Sequence, residues 1–169
     1  MMTQTACTGR EMERLVHQYG NSMMRTCCCY LRDESAAQDA VQDSFVKICR
    51  AWPGFEDPSR EKAWVMRVTV NTCRDALRSP WLRRVTLVDQ YPPMAADPDT
   101  PKESGQLFSE IQKLRPKLRE VVLLRYYHDF SIKEIAQMLH LTSSAVSMRL
   151  ARAEAALQTA LNGVPLEEC

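Results

Sequence analysis

The chain has 169 residues, with 22 Lys and Arg against 21 Asp and Glu and a formal net charge of +1. That length holds one ordinary domain, or two small ones near the lower limit of a self-sufficient core. A hydrophobic fraction of 45% without a long uninterrupted apolar run excludes a membrane-spanning helix, and the near-neutral balance excludes a uniformly basic coat while leaving room for local patches.

Residues 1–10 are polar and lack the basic-then-apolar order of an export signal, so an N-terminal tail and a cytoplasmic chain are expected. Of the cysteines, Cys27, Cys28 and Cys29 are consecutive, whereas Cys7, Cys49, Cys73 and Cys169 are scattered without C-x-x-C spacing. Adjacent side chains on a helix point about 100° apart and cannot converge on one ion, so neither a metal nor any other cofactor is expected. Buried or idle thiols are the favoured reading in a reducing cytoplasm. A redox role for Cys28 or Cys29 stays open, with nothing nearby to lower a thiol pKa.

Apolar residues Leu15, Met23, Val41, Phe45, Ile48, Trp52, Trp64, Val65, Val68 and Leu77 recur largely at three- and four-residue steps, which predicts a helical N-terminal half. Pro53-Gly54 stops the helix that ends at Trp52. Asp57-Pro58-Ser59 makes a turn, and Ser59 lacks an acidic partner at Lys62 for a capping box. Charge is uneven along the chain. Arg60, Lys62, Arg67, Arg74, Arg78, Arg83 and Arg84 face only Glu61 and Asp75, and then Asp89, Asp97, Asp99 and Glu103 face only Lys102.

Pro80, Pro92, Pro93, Pro98 and Pro101 interrupt any helical period up to about Gln106, so an extended acidic linker is predicted over 85–109. Such a strand spans tens of ångströms without burying a core. Beyond it, Ile111, Leu114, Leu118, Val121, Val122, Leu124 and Tyr126 predict one helix, followed by two shorter ones over Ile132 to Leu139 and Ser143 to Leu161. No run alternates as a strand would. The fold class expected is therefore all-α: two small helical domains, 11–84 and 110–163, joined by an extended linker, with a C-terminal tail over 164–169.

The last two helices carry the residue types of a DNA-reading pair. Ser131 and Glu134 form a capping box, and Thr142 or Ser143 caps the final helix. Ala136 is small where two helices cross, and Ile135, Leu139, Leu141, Val146 and Leu150 are expected to close a core. Ser143, Ser144, Ser147, Met148, Arg149 and Arg152 are then left as a reading surface. His140 stands at the turn where glycine is common and must adopt a left-handed or adjacent conformation. His17 and His128 have no partner constellation and are expected on a helix surface or in the core. An ordinary helical hairpin with solvated serines remains the competing reading.

Two further blocks are more specific. Asp39-Ala-Val-Gln-Asp-Ser-Phe-Val-Lys-Ile-Cys-Arg-Ala-Trp52 and Ala63-Trp-Val-Met-Arg-Val-Thr-Val-Asn-Thr-Cys-Arg-Asp-Ala-Leu-Arg78 resemble region two of the sigma-70 family of RNA polymerase sigma factors, and residues 111–161 resemble region four. With no middle domain, the chain resembles the extracytoplasmic-function (ECF) subfamily. The resemblance implies a non-enzymatic factor that gives core RNA polymerase its promoter recognition and DNA melting. It implies contact with the beta-prime clamp and the beta flap, with promoter DNA, and with an inhibitory anti-sigma factor.

By that resemblance Asp39, Gln42, Asp43, Lys47 and Arg50 face polymerase, where a solvated charged face is the bland alternative. Lys62, Arg67, Asn71, Arg74 and Arg78 face minus-10 DNA, and Trp64, Val65 and Val68 pack inward. The loop from Phe55 to Arg60 forms, with Asn71, a pocket for a flipped base. Phe55 is open to two readings, a base contact or a hydrophobic plug. Ser143, Ser144, Ser147, Met148, Arg149 and Arg152 face the minus-35 element. Ser147, Met148 and Glu154 depart from more basic residues common in relatives. The linker is expected to thread toward the polymerase channel or to act as a simple tether.

The competing functions are a two-domain DNA-binding regulator, separable by a pull-down with core polymerase, and an enzyme. Against the enzyme, the sequence has no glycine-rich phosphate loop, His-Glu-x-x-His or Gly-x-Ser-x-Gly.

Overall fold

The computed structural model describes residues 7–80 and 102–161, with side chains described from 106 in the second stretch. Arg83, Arg84, Cys169, both tails beyond these limits and the linker up to residue 101 lie outside the described residues. The chain divides into two compact units, residues 1–89 and 90–169. All described regular structure is helical, as the periodicity predicts.

The first unit is three helices, α1 (Gly9–Leu31), α2 (Glu34–Ala51) and α3 (Pro58–Leu77), each packed on the other two. Thr8 caps α1, its hydroxyl accepting from Glu11 N at 3.3 Å. The buried stripe of α1 runs Leu15, Tyr19, Met23, Thr26, Cys27 and Tyr30, the three- and four-residue spacing of one helix face. Arg32 ends the helix in the left-handed region (φ 56°), and its N–H donates to Cys28 O at 2.8 Å. Asp33 at once caps α2, accepting from Ala36 N at 2.7 Å, so two residues suffice to reverse the chain.

On α2 the buried face is Ala37, Ala40, Ser44 and Ile48, continued by Trp52. Val41 and Phe45, expected in the core, are only half-buried. Small residues face inward because α2 is clasped by both α1 and α3, and close helix approach excludes bulky side chains there. The Ser44 hydroxyl is satisfied by donating to Ala40 O at 2.6 Å. Trp64 and Val68, expected to pack inward with Val65, are likewise half-buried; only Val65 is in the core.

Asp57, not Ser59, caps α3: its carboxylate accepts from Ser59 N at 2.9 Å and Pro58 takes the first helical position, where a missing N–H costs nothing. The start of α3 is then clamped to α1. Glu61, 5% exposed, accepts from both Arg14 guanidinium nitrogens at 2.8 Å and from the Tyr19 hydroxyl at 2.9 Å. Arg14 holds the Glu61 carboxyl below its ordinary range, while burial and the bond to Glu61 push the Tyr19 phenol up to about 12.

The second unit contains α4 (Lys102–Lys113), α5 (Pro116–Val122), a π-helical turn (Leu123–Tyr127), α6 (Ile132–Leu139) and α7 (Ser143–Ala160). Two expectations are corrected here. Residues 102–109 are helical, not linker, because Leu107 and Ile111 have a hydrophobic cluster of Leu114, Val122, Ala153 and Leu157 to pack against. The single helix expected from Ile111 to Tyr126 is broken before Pro116, which forces Arg115 out of the helical region to ψ 143°. Buried Arg119 spans the break, donating to Gln112 O in the last turn of α4 at 2.9 Å and to Leu114 O just beyond it at 3.4 Å.

Helix α6 opens with both arms of the expected capping box. Ser131 N donates to the Glu134 carboxylate at 2.8 Å, and Glu134 N donates to the Ser131 hydroxyl at 3.3 Å. His140 ends α6 in the left-handed region (φ 54°, ψ 46°), and Thr142 caps α7 by accepting from Ala145 N at 3.1 Å. Ile135, Leu139, Val146 and Leu150 are buried between the helices as expected, while Leu141 is half-buried. His128 is buried between Tyr127 and Phe130, and His17 is exposed.

Candidate functional site

Three faces concentrate the polar residues singled out above. Asp39, Gln42, Asp43, Lys47 and Arg50 are all exposed on α2, opposite the Ala37, Ala40, Ser44 and Ile48 stripe. The face is not isolated from α3. Lys47 Nζ donates to Thr72 Oγ1 at 3.2 Å and sits 3.6 Å from the Asp75 carboxylate. The two helices enclose a groove of about 260 Å³ between Asp39, Asp43, Lys47, Thr72 and Asp75. Asp75 was not singled out from sequence, and only the pairing of α2 with α3 brings it to the groove.

The second face belongs to α3 and the loop before it. Arg67 and Arg78 are exposed, and Lys62, Asn71 and Arg74 are half-buried. Arg78 lies 3.9 Å from the exposed Asp75 carboxylate, a pair that solvent screens. The loop has a defined shape: Gly54 takes φ 73°, a conformation that L side chains rarely adopt.

After Gly54, Phe55 turns back onto two tryptophans. Its ring centroid is 5.3 Å from Trp52 and 5.6 Å from Trp64, and the tryptophans are 5.8 Å apart. Phe55 and Trp64 both meet Trp52 edge-to-face, packing that adds cohesion beyond area burial. Trp52 is 2% exposed and its indole N–H has no hydrogen-bond partner among the described residues, whereas Phe55 and Trp64 keep part of their rings at the surface. Both tryptophans and Phe55 are legible in the sequence, but their convergence depends on the reversal at Gly54.

On α7, Ser143, Ser144, Ser147 and Arg152 are exposed together with Met148, a large apolar side chain at 56% exposure. Arg149 does not join them. Its guanidinium donates to the Glu120 carboxylate of α5 at 3.1 Å, with side-chain exposures of 22% and 7%. The signal for this was present in the helical wheel: Arg149 flanks the buried stripe of Val146, Leu150, Ala153 and Leu157. Glu154, where relatives commonly carry a base, also has a structural use, since the Tyr126 hydroxyl bonds to its carboxylate and so fastens α7 to the π-helical turn. That bond and burial raise the Tyr126 pKa.

Among the described residues no group of three or more His, Cys, Asp or Glu is placed to hold a metal ion, and no helix is long and apolar enough to cross a membrane. Six cysteines fall among them. Cys27, Cys28, Cys29 and Cys73 are buried, Cys7 is half-buried and Cys49 is exposed.

Comparison with known proteins matches the two units separately. Residues 15–83 match the family model for sigma-70 region 2, and residues 104–157 match that for sigma-70, region 4. An RNA polymerase sigma-E factor of Streptomyces avermitilis is 29% identical over 159 residues, covering 93% of this chain and 88% of that protein.

Two solved structures share the fold. One is CnrH in complex with the cytosolic domain of CnrY, with a TM-score of 0.63 and 28% identity over 94% of this chain and 92% of that one. The other is the sigma factor RpoE in complex with the anti-sigma factor NepR from Bartonella quintana, with a TM-score of 0.75, 17% identity and coverage of 94% and 99%. Region-two and region-four helices in this order, each matched by its own family model and together spanning most of the protein, identify the chain as a member of the sigma-70 family of RNA polymerase sigma factors, of the extracytoplasmic-function type.

Proposed function

We propose that this chain confers promoter recognition and DNA melting on RNA polymerase through two units that contact the promoter separately while docked on one enzyme. In this reading residues 11–84 dock on the beta-prime clamp through Asp39, Gln42, Asp43, Lys47 and Arg50. The same unit engages the minus-10 strand through Phe55, Lys62, Arg67, Asn71, Arg74 and Arg78. The second unit, from α4 to residue 163, lies on the beta flap and reads the minus-35 element through Ser143, Ser144, Ser147, Met148 and Arg152. Arg149 acts as a strut that holds this surface to α5.

The observation that carries the reading is the division of labour on α2 and α3. Every polymerase candidate is exposed on α2, and every minus-10 candidate lies on α3 or its leading loop. One rigid three-helix unit can then hold protein and DNA at once. Cations on α3 supply the phosphate attraction, and the half-exposed Phe55 and Trp64 rings offer a stacking surface to an unpaired base. Two modest DNA contacts joined through polymerase raise each other's effective concentration, which suits a reading face on α7 with a single exposed arginine.

An anti-sigma factor is the expected inhibitor. CnrH, 28% identical, was solved bound to the cytosolic domain of CnrY, and the exposed aliphatics Val16 on α1 and Val46 on α2 offer apolar surface for such a partner.

Run-off transcription with purified core polymerase tests the proposal. The full chain should confer defined start sites on a genomic template library, with both promoter elements recoverable from the aligned upstream sequences. Failure to confer any start site across templates and salt concentrations defeats the reading.

A further inference from the structure

In the centre of the first unit, the Cys73 thiol of α3 donates to the Cys27 sulfur of α1 across 3.3 Å, and both residues are fully buried. The two positions are 46 residues apart in sequence and face each other only because α1 packs on α3. A disulfide needs its sulfurs about 2.05 Å apart, so closing this pair requires a relative movement of roughly 1 Å.

We propose that Cys27 and Cys73 form a disulfide under hydroperoxide stress, stapling α1 to α3 and weakening the minus-10 face. One thiol attacks the peroxide oxygen, giving a sulfenic acid and one water. The second sulfur then attacks the sulfenic sulfur, and the hydroxyl leaves with the second thiol's proton as another water. Two thiols and one hydrogen peroxide become one disulfide and two waters. The hydrogen bond to Cys27 and burial keep the Cys73 thiol protonated well above neutrality, so the pair stays reduced under ordinary conditions and reacts when the unit opens transiently or as pH rises.

The consequence for DNA follows from position and rests on the proposed function. Cys73 lies two residues after Asn71 and one before Arg74, the centre of the nucleic-acid face on α3. Drawing this turn toward α1 by about 1 Å displaces both side chains, and polar contacts are lost over that distance. The staple also removes conformations from the unfolded chain, so the oxidised unit should melt several degrees higher.

The test uses the full chain, reduced and then treated with hydrogen peroxide. Non-reducing peptide mapping should find one cross-linked peptide pair joining Cys27 to Cys73 with the loss of two hydrogens. Cys28→Ala should retain it and Cys73→Ala should abolish it. A labelled single strand carrying the minus-10 element should bind the oxidised protein at least threefold more weakly, with affinity restored by dithiothreitol.

A cross-link through Cys28 or Cys49, or thiols left intact at 27 and 73, overturns the proposal. So does equal strand affinity of the cross-linked and reduced forms. Reduced protein that ignores the strand, and is inert in run-off transcription, defeats instead the function on which the inference rests. The mapped cross-link on unmodified protein stands independently of whether the Cys73→Ala variant folds.

Discussion

Arg149 Nη1 donates to Glu120 Oε1 at 3.1 Å, joining the last helix to α5 through a pair that is largely withdrawn from water. The guanidinium therefore serves the second unit from inside, one helical position away from residues that face outward. Removing it takes a cationic partner from a buried carboxylate, a change that typically costs several kcal/mol. Arg149→Ala should lower the stability of the second unit by about 2 kcal/mol, the partial exposure of the arginine reducing the full penalty. Arg152→Ala should leave stability within about 0.5 kcal/mol and weaken binding to minus-35 DNA. Urea unfolding and gel-shift titration of both variants separate the roles; a stable Arg149→Ala protein would show that the pair holds nothing together.

Glu61 makes the stability of the first unit dependent on acid. Its folded pKa is depressed by Arg14, so its stabilisation is complete above the unfolded carboxylate value of about 4.3 and is lost as pH falls through the lower folded value. Glu61→Gln should reduce stability by about 2 kcal/mol at neutral pH and flatten the profile between about pH 5 and pH 3. Urea midpoints across that range measure both effects. A variant that retains the parental slope would remove Glu61 as its source.

His140 occupies the left-handed region at φ 54°, where a β-carbon is disfavoured. Replacing it with glycine should stabilise the second unit by about 0.5 kcal/mol, because relief of strain exceeds the entropy that glycine adds to the unfolded chain. Thermal melting is a sufficient readout, and a lowered midpoint would mean that the imidazole makes contacts worth more than the strain.

Asp39 and Asp43 are exposed on α2 and carry no part of the core. Reversing both to lysine should weaken binding to core polymerase at least tenfold, roughly 1.4 kcal/mol, with little change in melting temperature. Equilibrium binding to the purified core enzyme at two salt concentrations checks this. Unchanged affinity would remove α2 from the polymerase interface.

Local chemistry was the most readable layer. The Ser131–Glu134 box, the cap before α7, the stop at Pro53-Gly54 and the left-handed His140 each depend on neighbours within a few residues, so the order of residues suffices to predict them. The start of α3 shows the limit of this layer. Asp57 and Ser59 are both competent caps, and Pro58 decides between them by taking the first helical position. The break before Pro116 is equally local, but the apolar period continues across it and predicts one unbroken helix. The early start of α4 had a different cause, since Leu107 and Ile111 need the Ala153 and Leu157 side of α7 before a helix there gains anything.

The amino-acid order alone determined the all-helical class, the partition into two units, the helix-turn-helix and the family, because periodicity, capping and motif spacing are properties of short stretches. Tertiary packing decided which side of each helix turns inward. It placed Ala37, Ala40 and Ser44 beneath α1 and α3 while Val41 and Phe45 stayed half-exposed, and it drew Arg149 to Glu120. It also brought Lys47 to Asp75, gathered Phe55 with Trp52 and Trp64, and set Cys27 against Cys73. A helical period marks an apolar stripe only to within about one residue's rotation of 100°. Which residues at its edges are buried, paired or left to meet a partner depends on what the neighbouring helix presents.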